Sequence, residues 1–331
     1  MEHSVSLREQ ILFLKKHYSK KSLQLFLASV SKRIGIALFR LIIIIGLAFV
    51  ILYPIIIKLS TSLKPMTELY DPTVFVVPKN PTLQHFKDMI SFINYPKTLG
   101  NSIFLSGLCG ILQMASCVFV AYGLARFKFK GRGIVFGAVL ATMVIPPQAI
   151  LLPVFIQFQY FNIFSIFNFF TIPDGINLIN TYWPFVLLSI TCNGFKNGLY
   201  IYLLRQYFTG VPYVLEEAAY IDGCGPYRTF FKIMLPGALP LMSTVFLFSL
   251  VWQFTDSYYS TILTPNFEVV SVVASDAGYR LAGVMLENTN ALRVDLYNNV
   301  MVFLILLPLL ILYLFAQKAF VQSIESSGIV G

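Results

Sequence analysis

The chain has 331 residues, 57% of them hydrophobic and only 12% charged, a balance that excludes an ordinary soluble domain. Apolar runs of the roughly 20 residues needed to cross a bilayer fill so much of the length that no large soluble domain remains. The net charge of +9 does not point to nucleic acid, because the lysines and arginines cluster beside the apolar runs, where the positive-inside rule puts them.

Several chemistries fall away at once. Cys109, Cys117, Cys192 and Cys224 form no CxxC pair and three lie in apolar runs, so they read as small buried residues rather than a zinc site or a disulfide framework. His3, His17 and His85 lie outside the apolar runs, which excludes a histidine proton relay and an HExxH centre. No GxxxxGK[ST] loop occurs, so ATP is not hydrolysed by this chain through a P-loop.

In chain order, residues 1–34 form a basic segment separate from the 35–331 membrane unit, and they lack the small-residue cleavage site of a signal peptide. Leu7, Ile11, Leu14 and Tyr18, with Lys15, Lys16, Lys20 and Lys21 among them, fit a basic amphipathic helix on a membrane surface; a disordered basic tail fits equally. A first span is expected over 36–58, then a polar connection holding Ser62-Leu63-Lys64, Glu68 and Pro81-Thr82. The second span is expected over 100–124, opening on Asn101-Ser102 and closing on Arg126, Lys128, Lys130 and Arg132. A third follows over 133–158, in which Pro146-Pro147 remove backbone donors and bend the helix, either towards a pathway or for packing. Residues 159–181 read as an outer connection with a short interfacial helix.

The fourth span, 182–206, is interrupted by Asn193, Gly194, Lys196, Asn197 and Gly198. A cation at mid-membrane costs roughly 2.5–3.5 kcal/mol by insertion scales, so Lys196 must meet a solvated cavity, an acid or the inner headgroups. Asn193 and Asn197 are expected on one face at i, i+4, serving a pathway or a packing interface. The fifth span, 237–262, places Trp252, Thr255, Asp256 and Tyr259 at i, i+3, i+4, i+7; aromatics beside a carboxylate suit a sugar, and a plain packing role is the alternative. The sixth span is expected over 298–318.

Between spans four and five lies a polar island, 212–236. Pro212 suits a helix start with Glu216 and Glu217 near its favourable end, Gly223-Cys224-Gly225-Pro226 a reversal, and Pro226 a second helix. The first helix offers a face of Leu215, Ala219 and Asp222, the second a face of Tyr227, Phe230, Phe231 and Met234. Glu217-Ala218-Ala219, then Gly223, Ile233 and Leu235-Pro236 at their spacings resemble the cytoplasmic EAA loop of bacterial ABC importer permeases, and the surrounding AAYIDG is similar to the carbohydrate branch, close to the smaller maltose-type permease subunit. Ser62-Leu63-Lys64, Glu68, the later Pro-Thr and Asn101-Ser102 also resemble that branch, over about 35–331; the family's Trp-Asn-Asp is replaced by Trp252-Gln253-Phe254-Thr255-Asp256, and the closing lysine of its tail is absent.

The resemblance implies an all-α integral membrane protein of six transmembrane helices, a transport subunit rather than an enzyme, with no cofactor of its own. It implies Glu217, Ala218, Ala219, Asp222 and Gly223 docking on a dimer of ABC ATPase subunits that bind ATP-Mg. A second homologous permease, an extracytoplasmic solute-binding protein, membrane lipid and a sugar substrate complete the expected partners. The Lys and Arg clusters, read separately, put both termini and the EAA loop in the cytoplasm. An ion-coupled secondary transporter is the alternative, supported by the interrupted fourth span alone; an intramembrane enzyme lacks convergent catalytic groups.

Overall fold

The structure is a computed structural model that describes residues 20–162, 175–194, 196–285 and 291–328. The amphipathic helix expected around Leu7–Tyr18, much of the 159–181 connection and the last three residues lie outside them. Fourteen α-helices are ordered as α1 (Lys20–Leu63), α2 (Gln84–Phe92), α3 (Tyr95–Arg126), α4 (Arg132–Val144), α5 (Pro147–Gln159), α6 (Trp183–Ile190), α7 (Asn197–Gly210), α8 (Val214–Ile221), α9 (Pro226–Thr229), α10 (Leu235–Thr255), α11 (Tyr258–Leu263), α12 (Val270–Val273), α13 (Ala277–Met285) and α14 (Ala291–Gly328), among the described residues.

Six spans were expected, the third bent at Pro146-Pro147 and the fourth interrupted between Asn193 and Gly198, and both of those are divided into separate helices. Among the described residues, four continuous helical stretches are long and apolar enough to cross a membrane: Ser29–Leu63, Tyr95–Arg126, Pro226–Thr255 and Ala291–Gln317. The third expected span bends where the tandem prolines predicted, as two helices, α4 and α5, meeting at 104°. Pro54, Pro153, Pro240 and Pro308 each sit inside a helix that continues. One proline removes one donor, whereas Pro146-Pro147 remove two in succession, and Ile145 before them is extended at φ −69, ψ 121. The fourth expected span is likewise two helices, α6 and α7, with Cys192 (φ 59) and Lys196 (φ 63) left-handed between them.

α3 is the axis of the bundle. Its 32 residues reach about 48 Å at 1.5 Å per residue, and it packs on both α7 and α10. Cys117, Val118, Ala121, Leu204, Phe208, Phe230, Met234 and Val245 form the core near its C-terminal end. Its N-terminal end adjoins a second core in which Met89 of α2 meets Leu281, Leu296 and Val300. Midway, Gln113 is buried and ties three helices together: Ser249 of α10 donates to its Oε1 at 2.7 Å, and its Nε2 donates to Ser189 of α6 at 3.4 Å. Such crossings satisfy polar groups that lipid would leave bare.

Gly198 shows how closely α7 approaches α4. A Cβ there would lie 2.5 Å from Thr142 Oγ1 and 2.9 Å from the Val139 carbonyl, so only glycine fits. The polar connection after α1 is closed by its own charges: Lys64 donates to the carbonyls of Val74 and Phe75, and Glu68 accepts from the backbone N–H of Lys79 and Asn80. Both side chains are buried, so they shape the loop.

Candidate functional site

Two places carry the residues that the sequence singled out. The first is the polar island, beyond the C-terminal end of α3. α8 begins at Val214, two residues after Pro212, and ends in a complete Schellman turn: Cys224 N–H bonds the Ala219 carbonyl at 2.9 Å and Gly223 N–H bonds that of Tyr220 at 3.1 Å. The turn needs a left-handed residue after Asp222, and Gly223 supplies it at φ +78 with open space where a Cβ would be. The fixed glycine is thus a helix stop.

The faces of this hairpin differ from the expected ones. On α8 the buried residues are Glu216 and Ala219, while Leu215, Glu217, Ala218 and Asp222 are exposed. On the returning arm Phe230 and Met234 are buried, but Tyr227 and Phe231 face outward. Residues Phe230–Met234 form a π-helical stretch, whose wider turn rotates each following side chain off the 3.6-residue register. The exposed surface is therefore a patch of Val214, Leu215, Ile221 and Tyr227 with the Glu217 and Asp222 carboxylates beside it.

Arg126, the last residue of α3, holds this hairpin. Its Nε lies 3.2 Å from Glu216 Oε1, its Nη2 donates to the Val211 carbonyl at 2.6 Å, and its guanidinium covers the Tyr213 ring at 4.3 Å. Tyr122, one turn earlier on α3, donates to the same carboxylate oxygen at 3.4 Å. Sequence reasoning missed this pair, counting Arg126 among loop charges and Glu216 as a dipole partner. The available signal was the acid doublet Glu216-Glu217, of which one face of a short helix can bury only one.

The second place is a cavity of about 950 Å³ in the angle between α4 and α5, walled by the break between α6 and α7. Asn193, Lys196, Asn197 and Tyr259 line it, together with Thr142, Gln157 and Phe158. The expected shared face of Asn193 and Asn197 does not exist, because no helix joins them: Asn193 is exposed and donates to Thr191, whereas Asn197 is buried in the first turn of α7. Lys196 precedes α7 and sets its ammonium over the Trp252 ring at 5.1 Å. That contact joins two residues the sequence had put in separate groups.

The aromatic and acidic stripe on the fifth span is also broken. α10 ends at Thr255, Asp256 is extended at ψ 117, and Tyr259 belongs to α11. Asp256 caps that next helix: its carboxylate accepts from the N–H of Tyr258, Tyr259 and Ser260 and from the Ser260 hydroxyl. Thr255 bonds back to the Val251 carbonyl and stays exposed. Only Tyr259 of the stripe lines the cavity, with Trp252 reached through Lys196. Among the described residues no group of His, Cys, Asp and Glu is arranged to hold a metal ion.

Comparisons with known proteins bear on the family and the fold. A family model described as "Binding-protein-dependent transport system inner membrane component" matches residues 117–326. The chain is 26% identical to the arabinooligosaccharides transport system permease protein AraQ of Halalkalibacterium halodurans, over 86% of this chain and 93% of that one. It is 25% identical to the galactooligosaccharides transport system permease protein GanQ of Bacillus subtilis (89% and 95% covered) and to the maltodextrin transport system permease protein MalD of Streptococcus pneumoniae (86% and 92%). Among solved structures, a chain of a bacterial ABC transporter involved in the import of the acidic polysaccharide alginate superposes with a TM-score of 0.66 at 20% identity, covering 88% of this chain and 98% of that one.

Proposed function

Because this chain belongs to the family of binding-protein-dependent transport system inner membrane components, we propose that it carries an oligosaccharide across the bacterial inner membrane and takes its drive from a separate ATPase through α8. It is a permease subunit of a carbohydrate ABC importer, a transport protein and not an enzyme. The observation that carries the coupling role is the exposed patch on α8, built on a hairpin that is itself anchored to α3 by Arg126 and Glu216.

In this reading Val214, Leu215 and Ile221 enter an apolar groove of the ATPase, and Glu217 and Asp222 meet its basic or N–H-rich rim. ATP and Mg²⁺ bind to that partner, which works as a dimer. A second permease completes the pathway and an extracytoplasmic binding protein delivers the sugar. The loops around α2 face outward, and α8 with both termini faces the cytoplasm. Closure of the ATPase pair pushes α8; the Arg126 contact passes that push to α3, and α3 to the helices packed along it. The substrate biases the two arrangements only by its difference in affinity for them.

Gentle solubilisation and co-purification test the reading. A nucleotide-binding subunit and a second six-span permease are expected with the chain, and Glu217→Lys is expected to lose the ATPase while the permease pair persists. A chain that purifies alone and moves sugar down an ion gradient overturns it.

A further inference from the structure

Helix α6 ends in a Schellman turn whose left-handed position is filled by a cysteine. Asn193 N–H bonds the Leu188 carbonyl at 2.8 Å and Cys192 N–H bonds that of Ser189 at 3.4 Å, with Cys192 at φ +59. Glycine or asparagine takes that conformation at least cost, and both follow immediately in the chain as Asn193 and Gly194. A thiol is thus held where backbone preference alone would favour another residue.

Its neighbour is Cys117 of α3. The two side chains interact thiol to thiol, and Cys192 packs against the core that includes Cys117. This part of α3 bridges the break between α6 and α7: Ser116 Oγ donates to the Ser189 carbonyl at 2.6 Å, and Cys117 Sγ donates to the Asn197 carbonyl at 3.8 Å. Both cysteines are free thiols, but they differ in access. Cys117 is buried, whereas Cys192 is only half-buried and lines the cavity of about 950 Å³.

We propose that Cys117 and Cys192 form an oxidation site, which hydrogen peroxide converts to a reversible disulfide that ties α3 across the break between α6 and α7 and arrests transport. The arrest rests on the importer reading above; the sulfur chemistry does not. Peroxide is small and uncharged, so it enters a cavity that takes larger solutes, and it meets Cys192 first. The Cys192 sulfur attacks one peroxide oxygen, the O–O bond breaks, and the thiol proton leaves on the other oxygen as water, giving a sulfenic acid. The Cys117 sulfur then attacks the Cys192 sulfur. The S–O bond breaks, the hydroxyl departs with the Cys117 proton as a second water, and the S–S bond forms. Two thiols have lost two electrons, and the peroxide has gained them. Because Cys117 resolves the sulfenic acid, oxidation halts at a form that a dithiol reverses. The bond would make a covalent joint of a contact between the central helix and the cavity wall, and alternating arrangements of the helices need that contact to move.

The test uses the whole transporter, with ATPase, partner permease and binding protein, in proteoliposomes offered arabino-, galacto- and malto-oligosaccharides. The vesicles are treated with hydrogen peroxide and afterwards with dithiothreitol. Mass spectrometry of the unreduced digest is expected to show peptides linked through Cys117 and Cys192, transport to fall in proportion to the linked fraction, and both to reverse with the dithiol. Cys117→Ser is expected to keep its transport under the same peroxide and, with dimedone present, to carry the sulfenic acid adduct on Cys192. Peroxide that oxidises the complex without linking the two cysteines overturns the site. A link that forms while transport continues undiminished overturns the arrest, as does an equal loss of transport in Cys117→Ser. The wild-type digest decides the point even where the variant fails to fold. A complex that moves no sugar before any oxidant is added overturns the importer reading and the arrest with it, while the digest still decides the link.

Discussion

Arg126 Nε and Glu216 Oε1 lie 3.2 Å apart with both side chains almost wholly out of solvent, joining the end of the central helix α3 to the short helix α8. A buried pair of this kind is poor evidence of net stability, since desolvation offsets much of the attraction. Its consequence is mechanical: α8 cannot shift without either moving α3 or exposing an uncompensated charge.

Removing one partner alone should therefore be severe. Arg126→Ala and Glu216→Ala are each expected to cost about 3–5 kcal/mol, and Arg126→Met with Glu216→Leu together much less. Glu217→Ala, one residue away and exposed, should stay within about 0.5 kcal/mol. Thermal unfolding of the four proteins in detergent measures the difference, and equal losses at 216 and 217 would refute the burial argument.

Gly223 is held left-handed with nothing near its missing Cβ, so its substitutions report backbone strain and little else. Gly223→Ala is expected to cost about 1–2 kcal/mol, and Gly223→Asn less, because asparagine tolerates that conformation. Gly223→Pro forbids it outright and also removes the N–H that bonds Tyr220. ATPase retention in pull-downs should fall in the order Gly, Asn, Ala, Pro.

Gly198 makes the opposite kind of prediction, since its φ is ordinary and its space is absent. Gly198→Val should separate α7 from α4 at a cost of about 1–3 kcal/mol by overpacking, and should change the cavity that both helices wall. Transport is expected to fall further than the folded fraction. Parallel losses would mean that the contact serves packing alone.

Asp256→Ala is expected to cost about 0.5–2 kcal/mol through the lost cap on α11, and Asp256→Asn far less, because an amide oxygen caps nearly as well. A direct sugar contact would separate the two variants by KM and not by unfolding temperature.

Helix α2 carries a pH dependence. His85 Nε2 bonds the Lys64 carbonyl at 3.1 Å, which fixes the proton there, while Nδ1 is buried with no partner among the described residues. Burial, opposed only in part by that carbonyl, lowers its pKa from the ordinary 6.5. The unfolded chain then binds a proton more readily than the folded one, so stability present above about pH 6.5 declines as the pH falls below it. Unfolding temperature should drop between about pH 7.5 and 5.5, and drop less in His85→Gln.

Much of this protein was legible in its residues because bilayer physics is strict. Apolar length specified the long helices, the Lys and Arg clusters gave an expectation for topology, and tandem prolines marked the one bent pair among the described residues, where the freed backbone must break. The polar island was visible for the same reason, as a stretch that lipid cannot hold. What periodicity could not supply was where a helix stops. Asn193 to Asn197 and Trp252 to Tyr259 have helical spacing in the sequence, yet Lys196 turns left-handed and Asp256 leaves the helix to cap the next one. Those choices depend on neighbours distant in the chain: Gln113 against Gly194, Trp252 beneath Lys196, Arg126 drawing Glu216 inward. Local spacing determined the membrane class, the long apolar helices and the polar hairpin between α7 and α10. Only tertiary packing decided which acid is buried, which carboxylate caps a helix and which polar residues share a cavity, because each is settled by the partner that desolvates it.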